Sequence, residues 1–229
     1  MTVLVAGFAA FPHAPINPTE GLVRALEGCM TAAGEQIVPC LIPVDWERAW
    51  PTLREAIGAH RPHGVLVFGL HSGAGRLRFE LTGHNGRELG RVDAVGGFPS
   101  GPSVAEGPET LEAKLPLTRM TAALRAAGID FEFSRDAGRY LCNDILYHLC
   151  HSAADLMVEH YGLIHAPLTD AVIDAYRAKS AMPEFCHTIA EETLFQAALA
   201  LCASLSEPSA RLPEAVAMLP GEARTRDGS

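Results

Sequence analysis

A chain of 229 residues in which 48% are hydrophobic can bury one large core, and its length suits a single domain. A formal net charge of −9, with no basic stripe, excludes a nucleic-acid partner. No apolar run is long enough to span a bilayer, and the opening Met1-Thr2-Val3-Leu4-Val5-Ala6-Gly7 carries neither a basic leader nor a cleavage site, so a cytoplasmic protein without a membrane partner is expected.

Strands and helices alternate along the chain. Residues 2–7 are a short β-branched apolar run and read as the first strand. The loop after it carries Phe8 and Phe11, which suit an apolar pocket for a small ring or simple core filling. Asn17-Pro18-Thr19-Glu20 opens a helix, with Asn17 as N-cap, Pro18 in the first helical position and Glu20 in an acidic first turn. Residues 36–43 form a second strand and 45–60 a second helix, with Pro51 near its start or at a kink. Residues 64–70 are almost continuously apolar, the pattern of a strand buried on both faces. After a glycine-rich turn, residues 76–81 alternate polar and apolar as a half-exposed strand would.

Residues 90–107 are rich in Gly, Pro and Ser and are predicted to form a long surface loop, a lid or an oligomer contact. A helix over 116–127, a strand over 131–134, a helix over 142–160 and a strand over 161–165 follow. A last helix starts at Met182 or Pro183 and runs to Leu205, and residues 207–229 are expected to be a mobile tail. Buried strands with intervening helices imply an α/β fold: a mostly parallel, twisted sheet covered on both faces.

Cys142 opens the 142–160 helix behind Gly138. The helix macrodipole and unpaired N–H groups there favour a thiolate, making Cys142 a candidate nucleophile, with a buried residue packing the helix terminus as the alternative. The other cysteines, Cys29, Cys40, Cys150, Cys186 and Cys202, are scattered without a C-x-x-C spacing and read as reduced core residues. His165 closes a buried strand, where it can serve as a general base at the same sheet edge or as a structural histidine. A third group must orient the imidazole. Glu80 is a candidate, and periodicity does not separate it from Glu88, Asp93 or Asp136. The ten histidines include no H-E-x-x-H; His148 and His151, three apart, read as solvated helix residues and no metal is expected. Gly73-Ala74-Gly75 lacks the rest of a dinucleotide or phosphate loop.

These motifs together resemble the pyroglutamyl peptidase I (pyrrolidone-carboxylate peptidase) family of cysteine peptidases. The family's Gly-Phe-x-Pro-Phe-Gly-Gly and Asn-Pro-Thr/Ser correspond to Gly7-Phe8-Ala9-Ala10-Phe11-Pro12-His13 and Asn17-Pro18-Thr19. Its Gly-Leu-x-x-Gly turn, glutamate and asparagine correspond to Gly69-Leu70-His71-Ser72-Gly73, Glu80 and Asn85. Its cysteine and histidine motifs match Ala137-Gly138-Arg139-Tyr140-Leu141-Cys142-Asn143 and Gly162-Leu163-Ile164-His165-Ala166-Pro167.

The resemblance covers roughly residues 1–206, taken as one peptidase domain, and implies a single-domain α/β/α sandwich. It implies Cys142 as nucleophile, His165 as base then acid, and Glu80 as the group orienting His165. Phe8, Phe11, Tyr140 and Leu141 would line a lactam pocket, the backbone near Leu70 would bind the lactam, and Asn17 would support the pocket loop. It further implies cleavage after an N-terminal pyroglutamyl residue of small peptides, no cofactor, and a homo-oligomer such as a tetramer. The chain departs from the family at Pro12 and His13, and at Ala74 and Leu81, where arginines are usual. Arg91 is the nearest counterpart of a further family arginine near the oxyanion, with Arg87 the other option. Two alternatives remain at this point: a pyroglutamate-binding protein with little catalysis, and a thiol amidohydrolase for another small lactam or acyl amide.

Overall fold

Alternating burial organises the structure, a computed structural model that describes residues 1–11, 14–179 and 187–206. In β1 (Thr2–Phe8), Leu4 and Ala6 enter one core cluster while Val3 and Val5 enter another. Successive side chains of a strand point to opposite faces, so a strand apolar at every position must be covered on both sides. The elements that follow are α1 (Pro18–Ala25), β2 (Gln36–Ile42), α2 (Ala49–His60), β3 (Gly64–Leu70), β4 (Leu77–Glu80), β5 (Thr82–His84) and β6 (Thr110–Glu112). The chain continues through α3 (Leu117–Ala126), β7 (Phe131–Ser134), α4 (Leu141–Ser152), β8 (His160–Ala166), β9 (Leu168–Thr169), α5 (Ile173–Lys179), β10 (Thr188–Ile189) and α6 (Glu191–Ala203).

The central sheet has the order β2-β1-β3-β8-β4-β7. Its first four strands are parallel; β4 runs antiparallel to β8, and β7 parallel to β4. Leu53 and Ile57 of α2 and Ile145, Leu146 and Leu149 of α4 pack on one face with Leu4, Val65 and Leu163. Leu22 of α1, Met120 and Leu124 of α3, and Leu194 and Leu201 of α6 pack on the other with Val3, Leu66 and Ile164. The result is the expected three-layer α/β domain with a mostly parallel sheet. Gly7 lets α1 approach: a Cβ there would lie 2.4 Å from the Thr19 carbonyl oxygen. No helix among the described residues is long and apolar enough to cross a membrane.

Several expectations need correction. The helix predicted over 142–160 stops at Ser152. The chain turns through Met157, whose φ of 55° lies in the left-handed region, and Val158 N–H closes the turn on Ala153 C=O at 2.9 Å. His160 therefore begins β8. The last helix starts at Glu191 rather than Met182 or Pro183, because Thr188 and Ile189 pair with β9. Pro12, His13, residues 180–186 (with Cys186) and the predicted tail 207–229 lie outside the described residues. The strand predicted over 76–81 is confined to Leu77–Glu80, and its half-exposed pattern fails at Glu80, which is buried like the apolar Leu77 and Phe79. Glu80 faces other protein elements rather than water, while Arg76 is exposed and Arg78 half-buried; alternation alone does not carry that distinction.

Candidate active site

The carboxyl ends of parallel strands are where an open α/β sheet offers a crevice. Here Gly69 of β3 lies opposite His165 of β8, and Arg78 of the reversed β4 lies opposite His165 from the other side. Glu80 pairs with Leu163, two residues before His165, so Glu80 and His165 are diagonal neighbours on one face. That face is the one α4 covers. His165 Nδ1 and Glu80 Oε1 are 2.8 Å apart, both groups buried. Glu80 Oε2 has no hydrogen-bond partner among the described residues, so this carboxylate depends on the imidazole.

Cys142 stands beside His165: both border one cavity, and both crowd the space a Cβ at Gly69 would need. Burial pulls the proton affinity of His165 down, but the neighbouring Cys142 and the hydrogen-bonded Glu80 carboxylate prevail and raise it to about 9. An arrangement of sulfur, imidazole and carboxylate in this order supports nucleophilic attack followed by proton donation.

The start of α4 fixes the sulfur. Gly138, with φ 79°, turns the chain, and Tyr140 caps the helix in an extended conformation. The first intrahelical bond joins Asp144 N–H to Tyr140 C=O at 3.0 Å, so the N–H groups of Leu141, Cys142 and Asn143 precede the ladder and suit an anion. Buried Asn143 clamps the helix to β5: its Oδ1 accepts from His84 N–H at 2.8 Å, and its Nδ2 donates to His84 C=O at 2.8 Å and Gly86 C=O at 3.1 Å. Next to it, buried Asp144 accepts from Arg87 Nε at 2.6 Å. Burial pushes the Asp144 carboxyl upward against the pull of Arg87. Gly83 permits the close approach, since a Cβ there would lie 2.9 Å from Tyr147 Cα.

Gly69 does the same for Cys142 and His165. A Cβ at Gly69 would sit 2.9 Å from both Cys142 Sγ and His165 Cδ2. A glycine inside a strand often marks such an approach, and that is the signal by which the sequence announces Gly69.

Two cavities open on Cys142. The smaller, about 80 Å³, is lined by Phe8, Phe11, Asn17, Val44, Leu70, Arg91, Tyr140, Leu141 and Cys142. It therefore brings together all six residues predicted for the ring pocket, with Arg91, and adds Val44. Asn17 holds the loop beneath: its Oδ1 accepts from Thr19 N–H at 3.1 Å and its Nδ2 donates to Ala9 C=O at 3.3 Å. The larger cavity, about 360 Å³, adjoins His71, Ser72, Asp136, Arg139, Cys142 and His165.

Arg91 and Arg87 part company. The Arg91 guanidinium lies 4.1 Å over the Tyr140 ring and borders both cavities, whereas Arg87 serves Asp144. Burial drives the Tyr140 phenol up to about 12, and its OH donates to Val92 C=O at 3.1 Å. Of the other carboxylates considered, Asp93 caps its own loop through Val95 and Gly97 N–H, Glu88 faces Arg91, and Asp136 pairs with Arg139 at 2.6 Å. None of these contacts involves His165.

His148 is not solvated as expected. It stacks on Trp50 at 5.0 Å, and burial lowers it to about 4. Among the described residues no group of three or more His, Cys, Asp or Glu is placed to hold a metal ion. Burial raises Cys40 to about 11 and Cys150 and Cys202 to about 12, which suits inert core thiols. Ala74 is buried, and Leu81 packs on the α3/α6 side of the sheet by apolar contact.

Comparison with known proteins agrees with this geometry. A family model described as pyroglutamyl peptidase matches residues 1–203. The pyrrolidone-carboxylate peptidase of Pseudomonas fluorescens is 33% identical over 182 residues, covering 79% of this chain and 85% of that protein. That of Oceanobacillus iheyensis is 32% identical over 167 residues, covering 72% and 83%. A variant of the pyrrolidone carboxyl peptidase of the hyperthermophile Pyrococcus furiosus superimposes with a TM-score of 0.81 at 26% identity, covering 90% of this chain and 98% of that one. The pyroglutamyl peptidase I of Bacillus amyloliquefaciens, at 23% identity and a TM-score of 0.76, shares the fold.

Proposed function

The chain belongs to the pyroglutamyl peptidase family, and from that premise we propose that it is a thiol exopeptidase that removes an N-terminal pyroglutamyl residue from small peptides. The observation that carries this reading is the meeting of Cys142, His165 and Glu80 at the mouth of a pocket of about 80 Å³ walled by Phe8, Phe11, Leu70, Tyr140 and Leu141. The pyroglutamyl ring has no free amine. A small apolar pocket accepts it and rejects an ordinary charged amino terminus, whose ammonium would be buried without a partner.

In the proposed mechanism the Cys142 thiolate attacks the pyroglutamyl carbonyl carbon and forms a C–S bond. The oxyanion lies against the Cys142 N–H at the start of α4, with Arg91 as further support. The tetrahedral intermediate collapses, the C–N bond breaks, and the His165 proton passes to the leaving amine. Water entering from the larger cavity then gives a proton to neutral His165 and adds to the thioester. Pyroglutamate leaves and the thiolate returns. Glu80 holds the imidazole in the required tautomer and stabilises its charged form. No step calls on a cofactor.

Two coarser assignments go with this reading. Free thiols at Cys29, Cys40, Cys142, Cys150 and Cys202 suit a reducing cytoplasm. The exposed apolar side chains Leu89, Val95 and Phe98 on one loop suit contact with a second copy in a homo-oligomer such as a tetramer. The direct test is release of a fluorescent amine from a pyroglutamyl amide. Iodoacetamide or Cys142→Ser should abolish it, and Cys150→Ser should leave most of it. Release that survives in folded Cys142→Ser, or thiol-dependent turnover with no preference for pyroglutamyl over other acyl amides, would overturn the proposal.

A further inference from the structure

His71 is a titratable side chain at the centre of the site that the acyl-transfer steps leave unused. It follows β3 directly, and its N–H donates to Ala166 C=O at 2.9 Å. Its ring meets the His165 ring edge-on, with centroids 5.4 Å apart at 68°. Its Nε2 lies 3.4 Å from Arg78 Nη1, and Arg78 Nε donates to Glu132 Oε1 at 2.6 Å. Arginine only donates, so the imidazole nitrogen facing it must accept, and the proton of His71 sits on Nδ1. That Nδ1 is buried, with no partner among the described residues.

We propose that His71 is a positioning residue for His165: a neutral imidazole, held in one tautomer by the Glu132–Arg78 pair, that walls the His165 ring toward Cys142 and would disrupt the thiolate–imidazolium pair if it became charged. A neutral aromatic ring can face a neighbouring imidazolium favourably, whereas a second imidazolium at that distance repels it. The groups facing His71 agree. Burial, His165 of β8 and Arg78 of β4 all disfavour its charged form, and Glu80 of β4 opposes them. Across the cleft Cys142 opens α4, while Asp136 and Arg139 neutralise one another. Arg78 therefore has a task beyond its ion pair, which is to keep a second proton out of the site.

This inference rests on Cys142 and His165 being the reacting pair. Its test uses two pH profiles: kcat/KM on a pyroglutamyl amide, and the rate of iodoacetamide alkylation of the Cys142 peptide followed by mass spectrometry. Arg78→Met should let His71 take a proton and move the acid limb of both profiles up by about half to one pH unit. The double variant Arg78→Met with His71→Phe should return both limbs to the wild-type position. His71→Ala should lower kcat about tenfold, and the ring of His71→Phe should recover most of that loss. Superimposable wild-type and Arg78→Met profiles, or a shift that survives in the double variant, would overturn the role. Absence of pyroglutamyl-amide turnover alongside shifted alkylation profiles would remove the proposed function and leave His71 standing; turnover with unmoved profiles would do the reverse.

Discussion

Beside Cys142 lies a pocket of about 80 Å³ to which Phe8, Phe11, Val44 and Leu141 belong; adjoining it, across the shared Leu70, Arg91 and Tyr140, lies a cleft of about 360 Å³ bordered by His71, Ser72, Asp136 and Arg139. The pocket offers shape and dryness and makes few polar demands. The cleft offers polar groups already spent on one another, such as Arg139 with Asp136 at 2.6 Å. Under the proposed function, a site built this way is expected to read the acyl ring strictly and the departing peptide loosely. Between the two stand the parts that serve both, and damage there should exceed damage to either side.

Short of removing the Cys142 nucleophile, the largest effect is therefore expected at Glu80. A glutamine there cannot stabilise the imidazolium, and its amide can impose the wrong tautomer, so Glu80→Gln should lower kcat by about a thousandfold. The same substitution carries a stability signature. The folded site raises His165 to about 9, above an ordinary value near ~6.5. Its charged form thus contributes stability that is fully present below about 6.5 and is lost as pH rises through about 9. Wild-type protein should accordingly melt at progressively lower temperature across that alkaline window, and Glu80→Gln should flatten the decline. An equal decline in both proteins would detach the carboxylate from His165.

Gly69 comes next. A methyl group placed 2.9 Å from Cys142 Sγ and His165 Cδ2 must push the two apart. A displacement of about 1 Å in a reacting pair can cost about a hundredfold in rate. Gly69→Ala should lose roughly that much kcat while pyroglutamate binding in the pocket, measured as product inhibition, persists. Loss of binding to the same extent would mean that the strand, rather than the pair, had moved.

The legibility of these parts in the sequence differs for a physical reason. Strand continuity over 64–70 and the capped start at Asn17 are local signals, and both elements form as read. The fold class follows from such signals, because a strand apolar at every position needs two covers. Glu80 is different. Its alternating strand looks solvated, and only the tertiary pairing of β4 with β8, which sets Glu80 against His165, shows that its carboxylate is buried. Val44, His71 and the Asn143 clamp on His84 were equally silent, since each depends on elements distant in sequence that meet across space. The overlong helix after Cys142 failed where Met157 adopts a left-handed turn that periodicity does not register. The β5–β6 and β9–β10 pairs are too short to leave any pattern.

The smallest effects separate the two cavities. Phe11→Ala enlarges the pocket and admits water beside the ring, and hydrophobic discrimination of this size is worth about tenfold to a hundredfold in kcat/KM. Arg139→Ala removes a side chain that is one-third exposed and already paired with Asp136, and such surface pairs contribute little, so kcat/KM should change by less than about threefold. The contrast should hold across leaving groups: a panel of pyroglutamyl amides differing only after the scissile bond should rank alike in wild type and Phe11→Ala. Any reordering of the panel belongs with Arg139→Ala, which frees Asp136 to repel acidic leaving groups and attract basic ones. If Phe11→Ala reorders the panel and Arg139→Ala leaves it intact, the ring sits in the larger cavity and the assignment of the two sides is reversed.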